Sequence, residues 1–538
     1  MHITDKKNKN HKTQIMKTNR IILTSITLLF LSSFTFAQEN KITVKLDEGK
    51  DVISRHIYGH FSEHLGRCIY EGIWVGPESP IPNTRGIRND VVQALQEIDI
   101  PNLRWPGGCF ADTYHWRDGI GDPSERKNAV NITWGGVVES NTFGTHEFMD
   151  LCEQLDCEPV FCGNMGSGTV QEMAEWVEYL TSDLETPVTD LRKKNGREEP
   201  WKVKYWGIGN EMWGCGGMMT PETYSQELRR YSRFIPNYGG NNLYRIASGP
   251  NQDDYAWTEY LLKEWSTTDG WLKGYMDGIS LHYYTICHDW SNKGSARDFN
   301  EDEWFSSISK TLIIDEYITK HIAIIDKYDP ENRIGLVVDE WGNWFDPEPG
   351  TNPAFLYQQN TLRDAIVSSL NMDIFNRHCS RISMANIAQV VNVLQSVVLT
   401  REDKLVKTPT FYVFKMYKVH HDALLLPIDL VCGNYIYNDQ EIPQLSATAS
   451  KKEGKVHITV TNVNPNEEAK INIVLEGSEN YRVVSSEIIT ADEMNAYNDF
   501  DQEEKVNIKT FDNYQQKKEN IAVTMPSKSI VLLTLETK

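Results

Sequence analysis

The stretch Lys204–Gly217, KYWGIGNEMWGCGG, begins as a short apolar strand and contains an Asn-Glu pair with a tryptophan on either side. Glu211 directly follows a segment with the composition of a buried strand, where an unpaired charge is costly. This carboxylate therefore needs a partner at the end of its strand. The ends of the other strands are where that partner should be found.

Seven other short apolar segments share this character and alternate with helical patterns, in which apolar residues recur three and four positions apart. The seven segments are Arg55–Leu65, Ile98–Gly108, Glu158–Gly166, Tyr244–Pro250, Asp277–Tyr284, Ile334–Trp341 and Arg381–Gln389. With Val203–Glu211 they make eight predicted strands. Eight strands that alternate with helices predict an α/β fold of the (β/α)8 or TIM-barrel type.

After about Thr400 the pattern changes to period-two alternation with turn residues between the strands, which predicts a β-sandwich of the jelly-roll type. The segment NKITVKLDEG before the barrel also alternates but is too short to stand alone, so we expect it to complete the sandwich. The predicted organisation is a leader over 1–37, this strand within 38–50, the barrel over 51–405 and the sandwich over 406–538.

The leader has the layout of a cleavable signal peptide. An apolar run, Ile21–Phe34, follows a basic stretch and is followed by Thr35-Phe36-Ala37 before Gln38. The run is too short to span a bilayer comfortably. We therefore expect an exported protein, secreted or periplasmic, without membrane insertion.

Charge and cysteine content restrict the partners. The net charge of −21 argues against nucleic acid, because a polyanion would be repelled, and favours a neutral substrate. The nine cysteines contain no CxxC pair, so they indicate neither a zinc ribbon nor a dense disulfide scaffold. We expect no metal and no other cofactor.

Polar residues stand at or near the end of every predicted strand. In a (β/α)8 barrel these ends converge on one face, where the site is built. Each residue alone could be a cap or a satisfied core residue, so it is their convergence that points to a site. They are Glu63, Arg104, Asn164, Asn210 with Glu211, Asn251, His282 with Tyr284, Glu340, and Gln389.

Glu340 is the partner that Glu211 requires. The two residues end the seventh and fourth strands, which lie nearly opposite each other in a small barrel. Two carboxylates there can straddle a glycosidic bond at the separation of about 5 to 5.5 Å used by retaining glycosidases. One must stay protonated and the other ionised, and the approach of two like charges raises one pKa as this requires.

Other side chains suit a sugar. Asn210 is placed to hydrogen-bond the hydroxyl beside the reacting carbon. Trp213, Trp341 and Trp344 flank the strand ends, and an aromatic ring packs on the apolar face of a sugar, although the same rings could equally be core.

Five blocks resemble, in order, the signature blocks of the α-L-arabinofuranosidases of glycoside hydrolase family 51. They are IYGHFSEHLGRCIYEGIWVG, LRWPGGCFADTYHWRDGIG, YWGIGNEMWGCGG, VVDEWGNWF and MANIAQVVNVLQSVVLT, and the resemblance runs from about Ile57 to the C-terminus. It implies retaining hydrolysis of terminal α-L-arabinofuranosyl residues from arabinan, arabinoxylan or their oligosaccharides. Because family members are often multimers, it also implies a homo-oligomer.

The resemblance also implies roles for individual residues. Glu211 matches the acid/base of the family and Glu340 its nucleophile. Residues that match positions binding or orienting the sugar are Glu63, Asn210, His282, Tyr284 and Gln389. Cys109 departs from the pattern, because the family more often has Asn there and a thiol is a weaker hydrogen-bond partner than an amide. We keep Cys109 among the expected sugar contacts, with simple packing as the alternative.

Three other functions fit parts of the pattern. Another retaining barrel glycosidase, such as an endoglucanase or a β-xylosidase, would share both carboxylate positions, because these follow from the chemistry. A metal-dependent hydrolase would need clustered ligands, and His60 and His64 lack an H-x-H or H-E-x-x-H pattern. A non-catalytic sugar-binding protein would keep the tryptophans but would not need both carboxylates.

Overall fold

Eight parallel strands form a closed barrel in the computed structural model, which describes residues 40–477 and 480–537. Barrel strands one to eight, numbered in chain order, are Gly59–Phe61, Asn102–Trp105, Glu158–Gly163, Tyr205–Ile208, Tyr244–Ala247, Gly278–Thr285, Gly335–Asn343 and Ile382–Ala388. The eighth closes onto the first, with Asn386 opposite Gly59 and Ala388 opposite Phe61. The predicted (β/α)8 barrel is confirmed, and the predicted leader lies outside the described residues.

Nine α-helices occur in this part of the chain, and at least one follows each barrel strand. Their starts carry the expected caps: Asn300 accepts a hydrogen bond from the Glu303 N–H, while the Glu303 carboxylate accepts one from the Asn300 N–H. The helices are Asn89–Glu97, Thr145–Leu155, Val170–Thr181, Pro187–Lys194, Pro221–Phe234, Tyr255–Thr267, Glu301–Tyr328, Leu362–Arg377 and Pro409–Tyr417. Within the described ranges, none of them is both long and apolar enough to cross a bilayer.

The C-terminal part folds as two packed sheets. The six-stranded sheet contains, in spatial order, Leu424–Leu426, Leu445–Lys452, Lys455–Asn462, Ser529–Thr537, Tyr481–Thr490 and Lys509–Thr510. The five-stranded sheet contains Ile428–Val431, Asn40–Lys45, Ala469–Glu476, Asn520–Met525 and Tyr514–Lys517. The strand that precedes the barrel in sequence therefore lies inside the sandwich, and its Ile42 and Val44 are fully buried there.

Helix Leu362–Arg377 joins the barrel to the sandwich, and every residue from Leu362 to Asn376 is buried. Its Asp373 accepts hydrogen bonds from Ser446 Oγ and Thr448 Oγ1, each at 2.7 Å, and from Tyr417 Oη at 3.0 Å. Burial raises the pKa of Asp373 to about 6, although these three donors lower it. A satisfied buried carboxylate thus ties the two parts together.

Helix Pro409–Tyr417 belongs to the barrel by its packing, although it follows the predicted boundary at 405. The ring of its Phe414 lies 4.4 Å from the ring of His60 and 6.4 Å from that of Trp341, measured between centroids. The first sandwich strand after it begins at Leu424. This helix therefore lies between the predicted boundary and the sandwich strands that follow the barrel.

Shortening a buried side chain in strand Asn40–Lys45 should destabilise the sandwich, although this strand is far in sequence from the other sandwich strands. Because Ile42 is fully buried between two strands, Ile42→Ala should lower the free energy of unfolding by about 2–5 kcal/mol. Denaturant unfolding followed by circular dichroism measures this. Lys41→Ala, at an exposed position of the same strand, is the control, and equal stability of the two variants would contradict the assigned pairing.

Candidate active site

A cavity of about 420 Å³ opens at the carboxyl ends of the barrel strands. The predicted site residues that line it are Glu63, Cys109, Glu211, His282, Tyr284, Glu340 and Gln389. A wider cleft of about 970 Å³ lies beside the sandwich loops, between Thr490 and Lys528, but none of the strand-end residues reaches it. The smaller cavity is therefore the candidate site.

The two catalytic candidates face each other across this cavity. Glu211, His282 and Glu340 each place one side-chain N or O atom within 4.8 Å of the other two. This separation agrees with the about 5 to 5.5 Å of retaining glycosidases, and it is shorter than the about 6.5–9.5 Å that inverting enzymes need for a water molecule. The arrangement therefore favours the retaining geometry over the inverting one.

The backbone at Glu211 turns sharply to aim this carboxyl group. Its φ of 43° lies in the left-handed region, which residues with a side chain seldom adopt, and Gly209 two positions earlier has a φ of 81°. The chain therefore reverses directly after barrel strand four. This turn brings the side chain over the mouth of the barrel.

Both oxygens of Glu340 are held by donors. Arg104 Nη1 donates to Oε1 at 2.8 Å and Tyr284 Oη donates to Oε2 at 2.8 Å. Arg104 also donates from Nη2 to Asn210 Oδ1 at 2.5 Å. One buried guanidinium from barrel strand two thus orients residues at the ends of strands four and seven, a role that the sequence did not reveal.

His282 connects three carboxyl groups. Its Nδ1 lies 2.8 Å from Glu211 Oε1 and 3.5 Å from Glu340 Oε2, and its Nε2 lies 3.0 Å from Asp339 Oδ1. Burial lowers the pKa of His282, but the charges of Glu340 and Asp339 and the hydrogen bonds to Asp339 and Glu211 raise it to about 10. The ring is an imidazolium at neutral pH and donates from both nitrogens.

Glu211 has the properties of the protonated partner. Its burial and the nearby charge of Glu340 raise its pKa above the usual value for glutamate, and the hydrogen bond from His282 limits the rise. A carboxyl group whose pKa is raised in this way can keep a proton at the pH where its neighbour is ionised.

Glu63 closes one side of the cavity. Its Oε1 accepts from the N–H groups of Gly108 and Phe110, both at 3.0 Å, and its Oε2 accepts from Gln389 Nε2 at 3.0 Å. Burial and the charge of Glu340 raise its pKa to about 7. The Gly107-Gly108 pair allows this approach, because a Cβ would lie 2.5 Å from Glu63 Cγ at Gly107 and 2.6 Å from Glu340 Oε1 at Gly108.

Trp341 does not reach the cavity. It is fully buried, and its ring packs against Phe375 with 5.3 Å between ring centroids. Successive side chains of a strand point to opposite faces, so Glu340 points into the mouth and Trp341 points outward to the helices. The tryptophans that do line the cavity are Trp134, Trp213, Trp290 and Trp344. Trp134 and Trp290 were missed because they lie in long loops without periodicity.

Cys109 is bonded to Cys215 in a disulfide that joins positions 106 residues apart. Cys109 Sγ lies 3.8 Å and Cys215 Sγ 3.4 Å from Glu211 Oε2. A disulfide sulfur carries no hydrogen, so Cys109 is not the thiol donor that its position in the sequence predicts. The pairing could not be read from spacing, since the two cysteines follow strands two and four and are brought together only by the fold.

Three groups of residues in the described part of the chain are spaced closely enough to ligate a metal. The first is Glu211, His282 and Glu340, but a protonated His282 and the Arg104 guanidinium already supply positive charge there. The second is Cys287, His288 and Glu303, where Lys310 Nζ donates to two carbonyl groups at 2.9 and 2.6 Å. In the third, Cys109 and Cys215 flank Glu211 as a disulfide. None of these three donor sets suits a cation.

Comparisons with known proteins find relatives along most of the chain. A family model described as α-L-arabinofuranosidase 1 domain matches residues 94–293, and one described as α-L-arabinofuranosidase C-terminal domain matches residues 339–529. An intracellular exo-α-L-arabinofuranosidase of Bacteroides ovatus is 50% identical over 518 residues, which are 96% of this chain and 99% of that protein. A probable α-L-arabinofuranosidase C of Aspergillus clavatus is 32% identical over 83% of this chain and 90% of its own length.

The Bacteroides relative corrects one expectation. We expected an exported protein, secreted or periplasmic, but this relative, aligned over 96% of the chain, is an intracellular enzyme. The prediction of export is therefore wrong. It rested on the apolar run Ile21–Phe34, which lies outside the described residues. Such a run is a compositional signal, and composition alone does not decide whether a leader is used for export.

The disulfide predicts a thiol count. Denatured but unreduced protein should titrate seven free thiols with Ellman's reagent, and reduction should expose all nine. Because the bond closes a loop over a separation of 106 residues, reduction should also lower the free energy of unfolding by roughly 2–5 kcal/mol. Nine thiols before reduction would show that the bond is absent.

Solved structures share the whole architecture. The glycoside hydrolase family 51 arabinofuranosidase from Xanthomonas axonopodis pv. citri superposes with a TM-score of 0.90 at 47% identity, over 93% of this chain and 100% of that chain. The α-L-arabinofuranosidase from Thermotoga maritima, in an arabinose complex, superposes with a TM-score of 0.80 at 30% identity, over 92% of this chain and 99% of its own. With family models matching residues 94–293 and 339–529 and a relative 50% identical over 96% of its length, the chain belongs to the α-L-arabinofuranosidases of glycoside hydrolase family 51.

Proposed function

We propose that the cavity removes terminal α-L-arabinofuranosyl residues from arabinan, arabinoxylan or their oligosaccharides by double displacement, with Glu340 as nucleophile and Glu211 as acid and then base. The observation that carries this assignment is the approach of the two carboxyl groups to within 4.8 Å, with donors on both oxygens of Glu340 and a raised pKa for Glu211. A non-catalytic sugar-binding protein would have no need of this pair.

In the first step, a Glu340 oxygen attacks the anomeric carbon and the bond to the leaving oxygen breaks. Glu211 gives its proton to that oxygen, so the leaving group departs as a neutral alcohol. Arg104 and Tyr284 hold the attacking carboxylate in one orientation, which reduces the entropy lost on reaching the transition state. The products of this step are an arabinosyl ester on Glu340 and an ionised Glu211.

In the second step, Glu211 takes a proton from water and the resulting hydroxide attacks the same carbon. The ester bond to Glu340 breaks, and two inversions give net retention of configuration. His282 supports both steps by donating to Glu211. With a pKa of about 10 it keeps its own proton near neutral pH, so it acts as a fixed positive charge and not as a proton carrier.

The other side chains that line the cavity suit a single sugar ring. Glu63 and Gln389 supply polar groups around it, whereas Asn210 accepts from Arg104 and does not line the cavity. The tryptophans at the mouth supply apolar faces for the next sugar of the substrate. A β-xylosidase or endoglucanase is not favoured, because the relatives with 30–50% identity named above are arabinofuranosidases. A homo-oligomer is proposed from family resemblance, and light scattering of the purified protein tests it.

Replacing each carboxylate should give a different failure. Glu340→Ala should abolish hydrolysis of every arabinofuranoside, because the nucleophile is gone. Glu211→Ala should retain the first step only on an activated aryl substrate, whose leaving group needs little protonation. Added azide should then restore turnover in this variant and give an arabinosyl azide of unchanged anomeric configuration, identified by NMR.

Glu316→Ala, on the exposed surface of helix Glu301–Tyr328, is the matched control and should behave as the parent enzyme. The assignment is wrong if Glu340→Ala is the variant that azide rescues. The retaining mechanism is wrong if the parent enzyme releases a product of inverted configuration.

The pH profile should respond to His282. Glu211 must be protonated to act as an acid, so kcat/KM falls as the pH rises through its pKa. His282 lowers that pKa by hydrogen bonding, so in His282→Gln the carboxyl group keeps its proton to higher pH. The alkaline limb of kcat/KM should therefore move to higher pH. A limb that stays in place or moves down would show that Glu211 is not the group that titrates there.

A further inference from the structure

Asp112 is a buried carboxylate that the proposed chemistry does not use. It lies in the short 3-10 helix Cys109–Thr113, which follows barrel strand two, and it is only 2% exposed. It does not line the cavity. Burying a carboxylate is costly unless hydrogen bonds compensate for the lost water, so its partners should reveal its role.

The partners of Asp112 are backbone groups on two other loops. Oδ1 accepts from the N–H groups of Met165 at 2.8 Å and Gly166 at 2.9 Å, just after barrel strand three. Oδ2 accepts from the N–H of Asn210 at 3.2 Å, just after strand four. The carbonyl of Asp112 accepts from the N–H of Ser167 at 2.9 Å. One residue after strand two thus ties together the segments that follow strands three and four.

The tie to Asn210 acts on the residue beside the proposed acid. Asn210 is held at its N–H by Asp112 and at its Oδ1 by Arg104, so both its backbone and its side chain are fixed. Glu211 follows at once with its unfavourable φ of 43°, which persists only where the surroundings enforce it. Beyond Glu211, the same 3-10 helix holds the chain again through the Cys109–Cys215 bond.

We propose that Asp112 is a positioning residue that holds the Asn210–Glu211 backbone in the turn from which Glu211 reaches the leaving oxygen. The inference rests on the proposed role of Glu211 as the acid. Without the carboxylate, three N–H groups lose an acceptor and the backbone at Glu211 can relax toward a commoner conformation. The carboxyl group would then stand away from the leaving oxygen, while the donors to Glu340 remain.

Asp112→Asn tests this, because it keeps the shape but replaces an acceptor oxygen with a donor amide. The substrates are a 4-nitrophenyl α-L-arabinofuranoside and an arabino-oligosaccharide, which share the sugar but differ in the need for an acid. We expect kcat/KM for the oligosaccharide to fall roughly tenfold further than for the aryl substrate. For the aryl substrate, KM should change little. A purely structural residue would not change the dependence on the leaving group.

Asp329→Asn is the matched control. Asp329 is also fully buried and accepts from two backbone N–H groups, those of Arg333 at 2.6 Å and Ile334 at 2.7 Å. It precedes barrel strand seven and therefore lies at the end of the barrel away from the site. We expect this variant to lose stability but to keep the parent ratio of kcat/KM between the two substrates.

Equal losses on both substrates in Asp112→Asn, or a change of ratio that Asp329→Asn reproduces, would overturn the proposal. If Asp112→Asn does not fold, Asp112→Ser, which keeps one acceptor and leaves room for water, takes its place. If neither variant folds, Asp112 serves stability and the proposal is wrong. Failure of azide rescue in Glu211→Ala would instead count against Glu211 as the acid, so the two ideas fail on different measurements.

Discussion

The charge balance among five groups at the barrel mouth, four of them buried and Glu211 partly buried, governs the rest of the site. Asp339 and Glu340 supply two negative charges and Arg104 and His282 two positive ones, so the set is neutral when Glu211 carries a proton. Burial alone would raise the pKa of Asp339, but Arg104 and His282 lower it below its usual value. Glu211 is the carboxyl group that must give up a proton, and its ionisation would leave this set with a net negative charge.

These groups balance one another's charge only because they lie close together. Different features of the chain bring them together on the two sides of the cavity. On one side, Gly107 and Gly108 leave room for Glu63 and Glu340 where any side chain would collide. On the other, the 3-10 helix Cys109–Thr113 is bonded to the loop after strand four by a disulfide and by the Asp112–Asn210 hydrogen bond. Rigid loops of this kind keep paired carboxyl groups at a separation that free side chains would not hold against their repulsion.

Much of the fold could be predicted because barrel strands leave a strong local signal. Apolar segments that end on polar residues located all eight strands, and the converging ends placed Glu63, Glu211, His282, Tyr284, Glu340 and Gln389 around one cavity. Trp341 shows the limit of this reasoning. Nearness in sequence to Glu340 suggested a sugar contact, but the side chains of Glu340 and Trp341 point to opposite faces of their strand, and Trp341 is buried among the helices.

The sequence by itself determined the class of fold, the family and the two carboxylates, since these depend on periodicity and on residues contiguous in short blocks. Only the tertiary structure decided which groups balance those carboxylates. Arg104 meets Glu340 across 236 positions, and Cys109 meets Cys215 across 106. The structure also brought Trp134 and Trp290 to the cavity from long loops. Such contacts depend on how strands and loops meet around the closed barrel, and no local pattern records that arrangement.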